Sequence, residues 1–209
     1  MLRRYATLFW DFDGVIKDSV AVKSDAYEHL FAPFGPEVAA RVREHHERNG
    51  GISRFEKIPL YLGWAGREAS EAEASSYCGQ FSVAVRQAVI DSPWVPGARE
   101  YLHANHAQQC QFLVTGTPQA EIEDILAALG LMRCFREVHG APTSKSDAIE
   151  LVLARWNCLR ADSLLIGDSD SDYAAASTAG VQFLLRRTAL NRQLQRKHLG
   201  LQCEDFLHG

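Results

Sequence analysis

Carboxylates and one lysine are grouped along the chain in a pattern that could serve catalysis. Asp11 and Asp13 follow a short apolar run, Asp168 and Asp172 follow another, and Lys145 lies ahead of the second pair. Carboxylates brought together repel each other unless a cation lies among them, and oxygen ligands favour a hard ion such as Mg²⁺. The pattern therefore predicts a site where Mg²⁺ binds protein carboxylates together with substrate oxygens.

Short apolar strands must position these residues. The runs are Tyr5–Trp10, Gln111–Thr115, Ser163–Gly167 and Val181–Leu185, with Arg136–His139 as a further short candidate. Helical patterns alternate with them at Pro118–Leu129, Ser144–Trp156 and Asp170–Ala179. This alternation predicts an α/β fold with a doubly wound parallel sheet. In such a sheet the ligand site lies outside the carboxyl ends of the strands, which is where the polar clusters fall.

A long helical stretch separates the first two strands. The first strand ends at Trp10 and the second begins at Gln111, a gap far longer than one crossover helix needs. Within it the helical patterns are Val20–Phe31, Glu37–Arg48, Arg54–Leu62 and Ala69–Ile90, and no strand pattern is present. We predict an all-α cap domain at residues 19–94, inserted into a core domain of residues 1–18 and 95–209, with Ser92–Gly97 as the return linker.

Four motifs in this order resemble those of the haloacid dehalogenase superfamily. They are DFDGV at 11–15, TGT at 115–117, Lys145 and GDSDSD at 167–172. The helical stretch resembles the type 1 cap of that superfamily, in particular the branch of β-phosphoglucomutases and phosphoglycolate phosphatases. The resemblance covers nearly the whole chain. It implies a Rossmann-like core and a Mg²⁺-dependent phosphohydrolase.

The resemblance also implies catalytic roles. Asp11 would attack phosphorus to form an aspartyl-phosphate, and Asp13 would act as general acid and then general base. Thr115, Gly116 and Lys145 would stabilise the oxygens of the transferring phosphoryl group.

The implied metal ligands come from the first and last motifs. Asp11, Asp168 and the main-chain carbonyl of Asp13 would hold Mg²⁺. Asp172 would be either a further ligand or a support for the metal site. Asp170 fits the first turn of the helix that follows.

Residues of the predicted cap leave alternatives open. Arg54 matches a substrate-contacting arginine of that branch, and a guanidinium could bind a second anionic group of the substrate. In the alternative, Ser53 caps the next helix and Arg54 is solvated. Lys57, one turn along, is a further candidate.

Two more positions in this region depart from the branch. Ser19 and Lys23 stand where the branch has a threonine and a histidine. Lys23 could bind an anionic substrate, serve as a hinge residue, or form a Schiff base as in phosphonate hydrolases. His45 and His46 lie on a charged helix and are expected to be solvated.

The function favoured by these residues is hydrolysis of a small phosphate monoester, such as a sugar phosphate. Gly167 is typical of phosphatases, whereas mutases often have an acidic residue there, and Asp13 argues against a dehalogenase. A phosphosugar mutase and a non-catalytic binding protein are the alternatives, because one fold hosts many functions. Each motif alone also has a non-catalytic interpretation: DFDG could be a turn after a strand, and GDSDSD could be a solvated loop that caps a helix.

Composition narrows the class of partner. The 209 residues carry a net charge of −4, which does not favour nucleic acid. No apolar run approaches the ~20 residues of a membrane span, and the N-terminal run is too short for a signal peptide. Five scattered cysteines suggest free thiols in a reducing compartment. We therefore expect a cytoplasmic monomer or homodimer that acts on a small phosphorylated metabolite, without binding nucleic acid or membranes.

Overall fold

The fold is a six-stranded parallel sheet with helices on both faces, in a computed structural model that describes residues 1–207. The strand order is β3-β2-β1-β4-β5-β6, which confirms the predicted doubly wound α/β fold. The strands are β1 Thr7–Trp10, β2 Cys110–Pro118, β3 Glu137–Ala141, β4 Ser163–Gly167, β5 Gln182–Arg186 and β6 Leu201–Cys203.

Nine α-helices accompany the sheet in residues 1–207. They are α1 Val20–Phe31, α2 Pro36–Arg48, α3 Arg54–Trp64, α4 Glu71–Asp91, α5 Ala98–Asn105, α6 Gln119–Ala128, α7 Lys145–Arg155, α8 Asp170–Ala179 and α9 Arg192–Lys197. Short 3₁₀ turns lie at Leu2–Arg4, Ala32–Phe34, Met132–Cys134 and Arg160–Asp162. Helices α1–α4 follow β1 directly, and we call residues 20–91 the helical insertion.

Both faces of the sheet are apolar because both are covered. Every residue of β1 is buried, and its side chains alternate between two hydrophobic clusters. Leu8 and Trp10 pack on the side of α5 and α6, and Phe9 packs on the side of α7 and α8. Two-sided burial fixes the register of β1 and hence the position of the residue that follows it, Asp11.

Aromatic side chains pack the helices of the insertion together. Helix α1 packs against α2 and α4, and α3 packs against α4. Tyr27, Phe31, Tyr61 and Phe81 are buried where these helices meet, with the Tyr27 and Phe81 rings stacked 3.9 Å apart. The polar side chains of the insertion are therefore held on packed helices rather than on a loop.

Strand β2 and two short elements differ most from the sequence-based expectation. Strand β2 continues through Pro118, so α6 begins one residue later, at Gln119, with Pro118 at its N-cap. Helix α5 and strand β6 were not predicted, because the former has only eight residues and the latter only three. All five cysteines are free, as the scattered spacing predicted.

Candidate active site

The carboxyl ends of three adjacent strands carry the candidate catalytic residues. β1 lies between β2 and β4, so Asp11 stands between Thr115 of β2 and Asp168, which follows β4. The main-chain N–H of Asp11 donates to the carbonyl of Ile166 at 2.9 Å, which extends the pairing of β1 and β4 by one residue. The parallel sheet thus brings together residues that are far apart in the chain.

A tight turn follows the first motif and lets a second carboxylate approach. Gly14 has φ +76°, a left-handed conformation that glycine adopts without strain, and its N–H donates to the Lys17 carbonyl at 2.7 Å. A methyl group at Gly14 would collide with the carboxylate of Asp168. Gly14 is therefore needed both for the turn and for the close approach of Asp168.

Three buried carboxylates form a cluster that fits a cation. Asp11, Asp168 and Asp172 each offer one oxygen, and these oxygens lie within 4.8 Å of one another. Burial raises the pKa of Asp168 well above its usual range, and the neighbouring Asp11 and Asp172 add to the effect. In residues 1–207 no hydrogen bond or ion pair reaches the Asp168 carboxylate, so its charge lacks a partner in the protein. A buried, unpaired carboxylate beside two others is a donor set that suits Mg²⁺.

Asp172 is held differently from Asp168. It is the third residue of α8, and with the N-cap Ser169 it forms a reciprocal capping box. Its carboxylate accepts hydrogen bonds from Ser169 N at 3.1 Å and from the ammonium of Lys145. A side chain at Gly167 would collide with Asp172, so the glycine before Asp168 makes room for this arrangement. The geometry favours Asp172 as a support that orients Lys145.

Lys145 lies between two of the acids. It is the first residue of α7, after the N-cap Ser144, and its Nζ is 2.9 Å from Asp11 Oδ1. Burial lowers the pKa of Lys145, but the charges of Asp11 and Asp172 outweigh that effect and leave the pKa above its usual value. Burial raises the pKa of Asp11 to about 7 even though Lys145 opposes the shift. Lys145 is therefore a permanent positive charge beside Asp11.

Asp13 is surrounded by hydrogen-bond donors. Ser19 Oγ donates to it at 2.6 Å and Thr117 Oγ1 at 3.2 Å, and the ammonium of Lys23 forms an ion pair with it. Burial raises the pKa of Asp13, but Lys23 and the hydroxyl donors outweigh burial, so the pKa lies below its ordinary value. Ser19 is the N-cap residue of α1 but makes no capping bond, because its hydroxyl bonds to Asp13. Asp13 is held as a carboxylate.

The Thr115–Thr117 segment supplies the polar groups on the β2 side. Thr115 Oγ1 accepts the N–H of Thr117 at 3.2 Å, which leaves the Thr115 hydroxyl proton free to donate. Thr117 was not among the predicted site residues, and its hydroxyl joins Asp13 and Lys23 in one network. Strand alternation gives the signal that could have found it, because residues 115 and 117 face the same side.

The helical insertion closes directly over these residues. The cavity between the two layers measures only about 20 Å³ and is lined by Asp11, Asp13, Thr115 and residues of the insertion. A methyl group at Gly51 would collide with Ser171 Oγ and lie 3.3 Å from Lys145 Nζ, and one at Gly116 would lie 2.8 Å from the Gly51 carbonyl. Such a volume holds about one water molecule, so this is a closed form that must open to admit substrate.

Arg54 binds the core rather than solvent. Ser53 caps α3 through its hydroxyl, which accepts the N–H of Phe55 at 3.3 Å. The guanidinium of Arg54 forms a two-bond ion pair with Glu121 of α6, at 2.8 Å for one bond, and also donates to Ser82. The alternative that Ser53 caps α3 is therefore right about Ser53 but wrong about a solvated Arg54, of which only 4% is exposed.

The expectation of solvated histidines is wrong for His46. This residue lies on the same face of α2 as Ala39 and Val42 and is buried with them. Its Nδ1 is 3.0 Å from the ammonium nitrogen of Lys57, which is also buried. Both residues line the cavity over Asp11 and Asp13. Of the two, only Lys57 was a candidate site residue from the sequence.

Residues 8–185 match the model of a family described as haloacid dehalogenase-like hydrolases. The chain belongs to this family. The match runs from β1 to β5 and includes all the motif residues described above. The family membership that the motifs suggested is therefore confirmed.

Individual proteins similar to this chain share about a quarter of their residues with it or fewer. The chain is 26% identical over 181 residues to a phosphoglycolate phosphatase of Pseudomonas fluorescens, covering 84% of this chain and 66% of that protein. It is 26% identical over 184 residues to a phosphorylated carbohydrates phosphatase of Thermotoga maritima, covering 84% and 82% respectively. A crystal structure of β-phosphoglucomutase from Clostridium difficile has the same fold, with a TM-score of 0.78 at 19% identity over 97% of this chain and 92% of that one.

The helices show no membrane segment. Within residues 1–207, none of them combines the length and the apolar character that crossing a membrane would need.

Proposed function

We propose that this haloacid dehalogenase-like hydrolase is a Mg²⁺-dependent phosphatase that hydrolyses a small phosphate monoester through an aspartyl-phosphate on Asp11. The observation that carries the proposal is the pairing of Asp11 with Lys145 at 2.9 Å, beside the unpaired carboxylate of Asp168. A binding protein has no need of a buried carboxylate and a fixed ammonium arranged around one reacting point. We also propose a cytoplasmic location, to which the five free thiols are suited.

The nucleophile and its charge stabiliser come from adjacent elements. An oxygen of Asp11 attacks phosphorus, so the ester oxygen leaves and an acyl phosphate forms on Asp11. Lys145, which remains protonated, lies where it can stabilise the charge on the phosphoryl oxygens. The Thr115 hydroxyl and the N–H of Gly116, on the neighbouring strand β2, are further donors.

Asp13 supplies the proton transfers in the proposed reaction. As an acid it protonates the leaving ester oxygen, and as a base it then takes a proton from the water that hydrolyses the acyl phosphate. The network of Lys23, Ser19 and Thr117 favours the ionised form, which is the form that the second step requires. We infer that substrate binding must loosen the contact between Lys23 and Asp13 before Asp13 can carry a proton for the first step.

Asp11, Asp168 and the main-chain carbonyl of Asp13 would hold Mg²⁺, and Asp172 would support the site through Lys145. When bound, the ion would neutralise the carboxylate cluster and the phosphoryl oxygens. The need for such neutralisation is visible in the protein itself, where burial raises the pKa of both Asp11 and Asp168. The acid cluster alone would hold protons that a nucleophile must not have.

The packing at Gly167 favours a phosphatase over a mutase. The mutases that the sequence resembles often have an acidic residue before the metal-binding aspartate. In this chain any side chain at position 167 would collide with Asp172, which orients Lys145. The substrate of the proposed reaction is a small ester, such as the phosphoglycolate or the phosphorylated carbohydrates named for the relatives.

Phosphate release from a panel of phosphomonoesters tests the proposal. We expect release that depends on Mg²⁺ and falls by at least about 10⁴-fold in Asp11→Asn, since removal of a nucleophile disables the whole catalytic unit. An intact mass measured after rapid acid quench should show a phosphoryl adduct in the wild type and none in the variant. Product analysis with a hexose 1-phosphate separates the alternatives, because a mutase yields an isomeric ester and little free phosphate. Absence of release from every ester would refute the phosphatase proposal.

A further inference from the structure

Lys23, Arg54 and Lys57 line the closed cavity, and Lys145 lies beside it against Asp11. Three of these four cationic side chains are already paired with carboxylates. Lys145 pairs with Asp11 and Asp172, Lys23 with Asp13, and Arg54 with Glu121. The fourth is Lys57 of α3, which enters no ion pair in residues 1–207. Its only polar contacts there are His46 Nδ1 at 3.0 Å and the Gly50 carbonyl at 3.5 Å.

The isolation of Lys57 is costly unless a ligand relieves it. Only 1% of the residue is exposed, and an ammonium group removed from water without a counter-ion is strongly disfavoured. Accordingly, burial lowers the pKa of Lys57 to about 7, and the nearby ammonium of Lys23 adds to the shift. Asp13 and Glu56 oppose the shift without reversing it. Among residues 1–207, the cavity thus contains a lysine that is paired with no carboxylate.

His46 extends the same donor surface. Burial and the neighbouring Lys57 lower the pKa of His46 well below its ordinary value, so the ring is neutral. When the ammonium of Lys57 donates to Nδ1, the ring proton must reside on Nε2. That Nε2 is buried and has no hydrogen-bond partner among residues 1–207. An anion bound beside Lys57 could therefore also use the His46 ring.

We propose that Lys57 binds a second anionic group of the substrate, a carboxylate or a second phosphate, at the end of the molecule opposite the scissile phosphoryl group. The inference rests on the proposed phosphatase function and names the substrate class for that site. Lys57 belongs to the helical insertion, whereas Asp11 follows β1 and Lys145 begins α7, so a substrate with two anionic ends would be bound from both layers. Arg54 is not available for this role while it is paired with Glu121.

The close packing of the two layers favours a compact substrate. The closed space of about 20 Å³ holds about one water molecule, so any ester binds only after the insertion has opened. Gly51 lies against Ser171 and Gly116 in the closed form, so an ester whose two anionic ends are a few bonds apart would disturb this packing less than a bulky one. Pairing of the second anion with Lys57 would also favour closure, because Lys57 reaches the site only when the insertion covers it.

Three esters that differ only in their second group test this proposal: 2-phosphoglycolate, ethylene glycol bisphosphate and ethyl phosphate. We expect wild-type kcat/KM to be higher for at least one of the two anionic esters than for ethyl phosphate. In Lys57→Met the kcat/KM of that ester should fall roughly 10- to 100-fold, since a hydrogen bond to a charged group contributes about 1.5–3 kcal/mol. The value for ethyl phosphate should change less than about threefold. Whichever anionic ester responds identifies the second group.

Binding measured without turnover separates this inference from the proposed function. Calorimetry on Asp11→Asn protein should give a lower Kd for the anionic ester than for ethyl phosphate, and adding Lys57→Met should abolish the difference. This result would support the Lys57 site even if no ester were hydrolysed. Equal losses for all three esters, or an unchanged preference in Lys57→Met, would overturn it. Lys17→Met is the matched control, because Lys17 is a buried lysine bonded to the Ile90 carbonyl outside the cavity.

Discussion

The sheet and the helical insertion face the same cavity, but they hold their charged residues in different ways. Beside the strand ends, Asp11 is paired with Lys145 of α7, and Asp13 is paired with Lys23 of the insertion. Within residues 1–207, Lys57 of the insertion has no charged partner, and Arg54 reaches its partner across the two layers. The nucleophile side of the site therefore lacks only the cation that its acids require. The insertion side is complete only when a ligand is present.

This difference assigns separate tasks to the two layers. Main-chain pairing at the strand ends fixes Asp11, so Asp11 depends less on the insertion than Asp13, whose partner Lys23 lies in it. The insertion contributes groups that reach the site only on closure, which makes them suited to selecting the substrate and excluding water. The predictions below test that division, beginning with the largest expected effect on catalysis.

Replacing Asp168, the unpaired carboxylate that follows β4, should cause a large loss of activity. Asp168→Asn is expected to lower kcat/KM by at least about 10²-fold. Replacing a residue that only hydrogen-bonds to a metal ligand typically costs less than that, and Asp168 would be a ligand itself. In Mg²⁺-free buffer at neutral pH the same variant should unfold at a higher temperature than the wild type, because folding raises the pKa of Asp168 and so disfavours the ionised form that the unfolded chain adopts. Titration with Mg²⁺ followed by thermal melting measures both effects.

The neighbouring Asp170→Asn is the control for this change. Asp170 is exposed at the start of α8 and should leave both quantities nearly unchanged. Full activity of Asp168→Asn at saturating Mg²⁺ would show that the metal site lies elsewhere.

Blocking closure should have the next largest effect. A methyl group at Gly51 would collide with Ser171 Oγ, whereas one at Gly50 would meet no atom within 4 Å. We expect Gly51→Ala to lower kcat/KM roughly 10- to 100-fold, because a misplaced closing segment no longer orients the substrate. Gly50→Ala should have little effect. Equal activities of the two variants, measured with the best ester, would mean that tight closure is not needed for catalysis.

The features that could be predicted from the sequence lie mostly on the sheet side of the site. The strands were predicted because apolar runs buried on both faces are distinctive, and Ser163–Gly167 was predicted with the observed bounds. The positions of Asp11, Asp13 and Asp168 follow from them, since each residue lies at a strand end. Helix α5 was missed although its buried residues have helical spacing, because it is short.

The insertion side was less predictable because its contacts join separate helices. The pairing of Arg54 with Glu121 spans 67 positions, and that of Lys57 with His46 joins α3 to α2. A helical period shows which face of a helix is buried, and it could have placed His46 with Val42, but it does not show which residue on another helix faces it. Partner choice of this kind is set by tertiary packing.

Two ion pairs join the insertion to α6, and they should differ in importance. Arg54 and Glu121 are buried, whereas Arg86 and Asp124, 2.9 Å apart, are exposed. Removing one member of a buried pair leaves the other charge unpaired, so Glu121→Gln should lower kcat/KM about tenfold or more by weakening the closed form. Arg86→Gln should change it less than about twofold, because an exposed pair contributes little. Similar losses in both variants would show that closure does not depend on the buried pair.

Lys57→Met should have the smallest effect on catalysis when the substrate lacks a second anion, and its main effect should then be on stability. The folded pKa of Lys57 is about 7, below the ordinary value of 10.5, so the unfolded chain binds the proton more tightly than the folded protein. Its cost to folding is therefore complete below about pH 7 and disappears as the pH rises toward 10.5. We expect Lys57→Met to raise the free energy of unfolding by about 1–3 kcal/mol at pH 6–7, with the gain shrinking at higher pH. Urea unfolding across this range measures the gain, with the exposed Lys197→Met as control. A loss of stability at neutral pH would mean that Lys57 is a structural residue, and the contrast between the paired Asp11 and the ligand-dependent Lys57 would fail.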